Sequence, residues 1–580
     1  MSGSHLFFFN RALIVKAIEE LQFEELLHIQ KINEKMWKLD AGNNIEYQFK
    51  GKVGAWNNIQ VQEDSLQKFQ YGLEQAVYTA ASFFYEVQDV CGIDDATLGQ
   101  FLEEMHQTLY CDELRFNRLK AYTASELSKL SFHEIDQLLP GHPKLLLNKG
   151  RLGWGIGELS AYTPESGQSF QLIWIAIKKE KLSAGIDPNI SYEDLLLSSL
   201  NKRQVESARV SLEEHGLNPD SYYVIPVHPW QWDRYICIQF QDYIFKKDMV
   251  YIGVLGDFYT PQASIRTLTN NNNPMAFDIK VSTSILNTSC IRGLPGKYVG
   301  VGYEISKFVD ETISKDEFLK EHNTRVLKET AAISAVLESH QNVEGCSYRY
   351  KELLGCVWRE SVASVLRGGE QAVPTGALIM NHNGEHLIKF YVLDSGLSPK
   401  EWLKHYFDKV VLPLYHLQIK HGIGLVAHGQ NTILILEDSR PSGLIIKDFH
   451  GDLRVSESVK FDGEFAAFLE RLPKHYLIHD LFTGHFVTVL RYLSRVMEES
   501  LSLPEKDFYA VLGEVIDSYL RSTEVKIDIS VDLRKSEFEK ILVNKVRFVS
   551  GYSETSQRLK PILGNNIKNP IARSMEESKL

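Results

Sequence analysis

HGQNTILILEDSRPSGLIIKDFHGD, residues 428–452, is the stretch whose reading decides the fold. Two apolar runs, Thr432 to Leu436 and Leu444 to Ile446, flank a polar turn at Ser439 to Ser442, the pattern of an antiparallel hairpin. With Leu436 opposite Leu444, Thr432 falls opposite Asp448, Asn431 lies beside that carboxylate, and His428 and Gln430 stand just upstream. An amide oxygen and a carboxylate brought together suit Mg2+, which takes few protein oxygens and leaves positions for nucleotide phosphates. Asn431 and Asp448 are therefore the candidate metal ligands. Protein kinases also set an Asn and an Asp at Mg2+, but with an Asp base a few residues before the Asn. Here that segment reads His428-Gly429-Gln430-Asn431, so a kinase-like small-molecule phosphotransferase stands only as the alternative.

At 580 residues the chain can bury several cores. Its 75 acidic and 63 basic residues give a net charge of −12, and no Lys/Arg run is interleaved with aromatics, which argues against nucleic acid as a partner. The six cysteines form no CxxC pair and read as reduced thiols of a cytoplasmic protein. No run of apolar residues is long enough for a membrane span, and the opening Leu6-Phe7-Phe8-Phe9 is too short for a signal segment, so no membrane association is expected.

Texture divides the chain into an expected mostly helical region (1–165), a β-rich region (166–376) and a mixed region of hairpin plus helices (377–580). The first rests on helical spacing of Phe23, Leu26 and Leu27 within Glu19 to Trp37, and on an amphipathic pattern from Leu66 to Tyr85. In the second, Phe170 to Ile177, Tyr222 to Val227 and Met249 to Val254 read as strands. In the third, Asn383-Gly384 is a tight hairpin dipeptide between Ala377–Met380 and Leu387–Val392. Ser398-Pro399-Lys400-Glu401 is a capping box opening a helix that Pro413 kinks and Gly422 stops. Phe465 to Leu472, Leu481 to Met497 and Phe508 to Leu520 are expected to be helical.

Other groups bring cations and hydroxyls. His142, Lys149 and Arg151 share a Gly-rich loop suited to phosphate or a polycarboxylate. Ser264 and Arg266 fall on one face of an extended segment, followed by Thr267, Lys280 and Arg292, a set able to line a triphosphate cleft. His228, between two prolines, reads as structural. His475 and His479 stand four apart but lack the Glu of HExxH and a third ligand, so zinc is not expected. No dinucleotide fingerprint or P-loop is present.

Taken in order, these segments resemble the NRPS-independent siderophore synthetases, the IucA/IucC family. The resemblance runs through GHP…KxRxG at Gly141 to Gly153, PVHPWQ at Pro226 to Gln231, SxRT at Ser264 to Thr267, Lys280, TSxxR ending in Arg292, HxQN at His428 to Asn431, Asp448 and Asn569-Pro570. It implies an α+β, multidomain cupped-hand architecture with a helical thumb, β-rich fingers and an α+β palm carrying the kinase-like hairpin site. It implies an ATP-dependent ligase that adenylates a carboxylate, typically of citrate, releases pyrophosphate, and passes the acyl group to an amine or alcohol with loss of AMP. By that likeness Ser264, Arg266, Thr267 and Lys280 bind ATP phosphates, and Gln430, Asn431 and Asp448 attend nucleotide and Mg2+. Arg292 and His428 hold the carboxylate substrate, with His142 and Arg359 as further substrate contacts, and Lys280, Arg292 and His428 carry the catalysis. The partners implied are citrate or a related polycarboxylate, a polyamine, amino acid or other nucleophile, and a second copy of the chain in a homodimer. Three positions depart from the family pattern: Leu145-Leu146 where a second His-Pro is common, Val426 where Glu is common, and Lys447 where Arg is common. The family's C-terminal region is sometimes likened to ferric reductases, but this chain has no cysteine after Cys356, so no iron–sulfur role is expected.

Overall fold

The computed structural model describes residues 3–572, leaving out 78, 289, 450, 460–463, 524–526 and 553–560. Its centre is an eight-stranded antiparallel sheet running Ser183–Ile186, Glu329–Ala335, Leu354–Arg359, Asp278–Val281, Thr267–Asn270, Met249–Pro261, Phe170–Lys178 and Tyr222–Val227. All three sequence-expected strands lie in it. Alternation sorts its middle strands. Leu268, Ile279, Val281 and Trp358 enter a buried apolar cluster, whereas Thr267, Asp278, Lys280 and Arg359 occupy the other face.

The quoted stretch forms the expected hairpin, Thr432–Glu437 with Arg440–Ile446, but in a different register. Thr432 faces Ile446 and Leu434 faces Leu444. The turn is the two-residue Asp438-Ser439, with φ of 49° and 62°, rather than the longer Ser439 to Ser442. Two left-handed central residues match the twist of paired strands, and a bulge at Ile435/Leu436 takes up the mismatch. From Thr432 to Ile435 the slip is two residues, which keeps those side chains on their expected face. Glu370–Pro374 and, in parallel, Thr324–Val326 complete a four-stranded sheet. Thr324–Val326 runs on through Leu327 and Lys328 into Glu329–Ala335 of the large sheet, so one short crossover fixes the hairpin against the cation-bearing strands.

The N-terminal region is not mostly helical. After the Gly3–Phe23 helix, Glu25 turns with φ 64° and a six-stranded sheet fills Ile29 to Gln75. Its signal is period two: Leu39 and Ala41, then Ile45, Tyr47 and Phe49, are buried on either side of a Gly42-Asn43-Asn44 turn in which all three residues have positive φ. Asn383-Gly384 does form a tight hairpin, but its arms are two residues each and Leu387–Ser395 is a helix. The capping box opens Pro399–Tyr406, with Ser398 accepting from the Glu401 amide. Ahead of Pro413 the ladder loosens into a π-helical turn, Phe407–Val411, because proline supplies no N–H, and Gly422 ends the helix with φ 63°. Phe465 to Leu472 is a 3-10 turn followed by a strand, Glu470–Leu472, rather than a helix. The two later helices form, the first beginning in a π-helical stretch, Phe482–Leu490.

Candidate active site

The hairpin end meets the large sheet at a buried charge cluster. Lys280 Nζ lies 2.8 Å from Asp448 Oδ1 and 3.4 Å from Glu329 Oε1. Arg359 reaches the same Asp448 oxygen at 3.4 Å and donates to Asp278 Oδ2 at 2.7 Å and Gln262 Oε1 at 3.2 Å. Burial alone would raise the Asp448 pKa, but Lys280, Arg359 and Lys447 together hold it well below the usual carboxylate range. Lys447 is pushed down, by burial first and then by Arg359. Asp448 thus stays ionised among cations.

Asn431 joins this cluster through the backbone: its carbonyl accepts from Lys447 N at 3.2 Å, which sets it one step from Asp448. Its side-chain amide donates to Val426 O and to Asp452 Oδ2 at 3.1 Å, leaving Oδ1 as an acceptor. Asn431, Asp448 and Asp452 border a cavity of about 10 Å3, close to the space a single water needs. Hard oxygen donors around a water-sized space are the donor set a divalent cation such as Mg2+ takes. Asp452 was not singled out in the sequence, although it closes the quoted stretch. Its backbone carbonyl accepts from Val426 N at 3.1 Å, and its carboxylate shares the Asn431 amide with the Val426 carbonyl.

His428 and His142 also meet, their rings 6.0 Å apart. His428 Nδ1 accepts from Gln430 N at 3.3 Å, and His142 Nδ1 accepts from Lys144 N at 3.2 Å and Leu145 N at 3.3 Å. Burial lowers both, His142 well below its ordinary value with His428 adding to the effect. Two neutral rings whose Nδ1 atoms accept must carry their protons on Nε2. The pair offers two N–H donors without a buried charge.

Ser264 and Arg266 do not share an extended face. Arg266 N donates to Ser264 O at 2.9 Å across Ile265, whose φ is 70°, so the segment is a tight turn. A buried β-branched residue at positive φ is strained, and such strain is retained where it aims neighbouring groups. The Arg266 guanidinium donates to Gly293 O, next to Arg292, and Arg292 donates to Thr288 Oγ1. Thr288 and Asp448 carry positive φ as well, at 52° and 64°. Thr267 pairs directly with Lys280. Thr267 Oγ1, Arg292 Nε and Arg359 Nε are buried without a hydrogen-bond partner. Buried polar atoms are rarely left so, and a polar ligand is a natural partner for them.

Two expected cations are spent on structure. Lys149 is paired with Asp112 and bonded to Pro140 O, and Arg151 grips Glu165 with both contacts within 3.0 Å. His228 is buried in an aromatic cage of Trp154, Tyr162 and Phe170, with its pKa pushed down to about 3 by burial, as befits a structural residue. Among the described residues, His475 and His479 gather no third metal ligand, and His479 Nδ1 bonds Thr483 Oγ1 instead.

The likeness of the chain to known proteins fits this geometry. The IucA / IucC family model matches residues 131–380, and a model described as ferric iron reductase FhuF-like transporter matches residues 400–555, a segment without cysteine. An aerobactin synthase of Vibrio mimicus is 32% identical over 98% of this chain and 97% of its own length. The chain belongs to the IucA/IucC family. The structure of aerobactin synthetase IucC from a hypervirulent pathotype of Klebsiella pneumoniae superposes with a TM-score of 0.87 at 30% identity, covering 99% of this chain and 100% of that one. A citryl-spermidine/3,4-dihydroxybenzoyl-citryl-spermidine:spermidine ligase of Bacillus anthracis is 31% identical over 71% of this chain and 65% of its own. As an IucA/IucC member with an α+β multidomain fold, the chain is a ligase of siderophore biosynthesis. These relatives are named as synthases or ligases, and the phosphotransferase alternative finds no support among them. Among the described residues, no helix is long and apolar enough to cross a membrane.

Proposed function

We propose that this ligase uses ATP and Mg2+ to adenylate a carboxylate of citrate or a substituted citrate, then condenses it with an amine or alcohol. The observation that carries the reading is the cluster of Lys280, Arg359 and Asp448, in which Arg359 Nε and the hydroxyl of Thr267, the strand partner of Lys280, are buried without partners in the protein. Joining a carboxylate to an amine in water requires activation of the carboxylate. A carboxylate oxygen attacks the α-phosphorus, the bond to the bridging oxygen breaks, and pyrophosphate leaves. The amine then attacks the acyl carbon, the bond to AMP breaks, and the amine proton passes to solvent or to the departing phosphate. A bound Mg2+ supplies charge neutralisation on the phosphates.

In this reading Arg266, Lys280 and the Ser264 and Thr267 hydroxyls hold phosphate oxygens, offsetting the repulsion between triphosphate and carboxylate. Arg292 offers its buried Nε to a substrate carboxylate, and the His142 and His428 Nε2–H groups cradle another oxygen. Arg359 holds Asp448 in place, and in this reading its unpartnered Nε is what it has left for substrate. Gln430 supports the His428 ring through its backbone N–H. Metal ligation falls to Asn431 and Asp448, joined by Asp452.

The test is incubation with ATP, Mg2+, citrate and hydroxylamine, followed by chromatography of the nucleotide. Citrate-dependent AMP together with a hydroxamate is the expected result, whereas ADP would overturn the adenylation step. A panel of amines then identifies the nucleophile.

A further inference from the structure

A second cavity lies away from the hairpin, between the Gly3–Phe23 helix, the strands Ile45–Val53 and Ile59–Val61, and the Arg491–Leu501 helix. Its volume is about 630 Å3, within the range of small-molecule sites. The proposed reaction assigns it no task. Its charges are unevenly satisfied. Arg495 is engaged by Glu19 at 2.9 Å and Glu499 at 2.8 Å, and Lys52 by Glu498 at 2.7 Å. Among the described residues, Lys16, Lys35 and Lys50, which line the same cavity, have no ion pair. The carboxyl pKa values of Glu19 and Glu63, also on its wall, are raised by burial.

Lys16 forms the inner wall. Its ammonium donates to Leu145 O at 2.6 Å and His142 O at 3.2 Å, which uses two of its three N–H groups. Burial pulls its pKa down to about 8, the state of an ammonium that gains from an anion nearby. The two carbonyls it holds belong to the loop that sets His142 against His428.

We infer that this cavity is a second anion site, which takes a small polycarboxylate and is distinct from the site at Lys280 and Asp448. Lys16 on the helix, Lys50 on the strand and Lys35 just ahead of the strand paired with it bring three ammoniums from different sides, which suits an anion whose charges are themselves spread. Carboxylates spread along one small molecule can meet ammoniums on several elements at once, where a single compact phosphate meets fewer, and Arg495 is already committed to carboxylates. Through Lys16 an occupant bears on the loop of His142, so the cavity is placed to report polycarboxylate supply or product to the catalytic pair. The choice of a polycarboxylate rests on the reaction proposed above; the anion site itself rests on the unpaired lysines.

The experiment is calorimetric titration of the full chain with citrate, comparing wild type, Arg292→Ala, and Arg292→Ala combined with Lys35→Ala and Lys50→Ala. Arg292→Ala is expected to retain one citrate equivalent that the two lysine substitutions weaken by about tenfold or more, a loss of roughly 1.4 kcal/mol. Inorganic phosphate at the same concentration is expected not to displace it. Arg292→Ala binding no citrate, or binding it unchanged after the lysine substitutions, overturns the proposal, as does displacement by phosphate. If wild type forms no AMP from citrate yet keeps the lysine-dependent equivalent, the proposed reaction fails and the anion site stands.

Discussion

Lys280 Nζ stands 2.8 Å from Asp448 Oδ1, joining the middle of the eight-stranded sheet to the end of the hairpin. Both side chains are largely buried, so neither charge can be left alone cheaply. Removing one partner of such a pair typically costs about 3–5 kcal/mol, because the other stays buried and uncompensated. Arg359 partly makes up the loss here. Lys280→Met is therefore expected to destabilise the fold by about 3 kcal/mol and to lower citrate-dependent AMP formation by about 100-fold or more. Urea unfolding and a rate assay read the two effects separately; wild-type turnover in a folded Lys280→Met would take Lys280 out of the chemistry.

Asp448→Asn keeps the shape but removes the charge that three cations hold ionised. The Mg2+ concentration for half-maximal rate should rise by about tenfold, the weakening expected when a hard-cation site loses one of its carboxylates. Asp452→Asn should act in the same direction, since Asp452 borders the same small cavity. A magnesium titration that superposes on wild type for both variants would remove the metal from this end of the hairpin.

Glycines lock the loop that carries His428. A Cβ on Gly429 would sit 3.0 Å from Gly376 Cα and N, and one on Gly484 would sit 3.0 Å from Ala427 N. The Gly376 amide donates to Gly429 O at 3.0 Å, so the first contact is backbone on backbone and cannot give. Gly429→Ala is expected to lower kcat by about tenfold or more through displacement of His428 and Asn431, with thermal stability reduced by a few degrees. Equal kcat in the alanine variant would show that the loop tolerates the shift.

Buried histidines set an acid limit. His485 donates from Nδ1 to Ala427 O at 2.8 Å, its Nε2 meets the Tyr406 hydroxyl at 3.0 Å, and burial pushes its pKa down to about 4. The unfolded chain, with an ordinary histidine pKa near 6.5, binds the proton first as pH falls, so stability rises with pH across this window and is lost on acidification. From pH 6.5 down to about 4 this residue alone should cost about 3 kcal/mol. Denaturant unfolding at several pH values should show a shallower acid loss in His485→Gln; parallel curves would assign the acid sensitivity elsewhere.

The parts legible in the sequence were those governed by local rules. Strands such as Phe170–Lys178, the Ser398 capping box, the Gly422 stop and the spacing of Asn431 to Asp448 follow from periodicity and capping chemistry. The N-terminal sheet was hidden because Leu26 and Leu27 fit helical spacing and outweighed the alternation beyond Met36. The hairpin register slipped because the left-handed pair Asp438-Ser439 contains no glycine to announce it. Ile265 at positive φ had no sequence signal at all, since β-branched residues rarely adopt it. Asp278 and Glu329 reach the site by strand pairing with distant segments, which periodicity along one strand cannot reveal. Lys149 and Arg151 misled for the converse reason, their partners Asp112 and Glu165 being supplied by tertiary packing.

Arg292 gives the sharpest separation of roles. Its guanidinium is anchored by Thr288 Oγ1, yet its Nε is buried without an acceptor, an arrangement that holds one side of the group and leaves the other for a ligand. A substrate carboxylate would satisfy Nε and a second N–H together, a geometry Lys cannot reproduce. Arg292→Ala is therefore expected to raise the KM for citrate by about tenfold or more and cut citrate-dependent AMP release, while ATP binding measured without citrate changes by less than about threefold. Arg292→Lys should recover part of the charge interaction but little of the specificity for a planar carboxylate. If both variants instead weaken ATP binding and leave the citrate KM unchanged, Arg292 belongs to the phosphate cradle with Arg266, and the carboxylate must be held by the His142 and His428 donors alone.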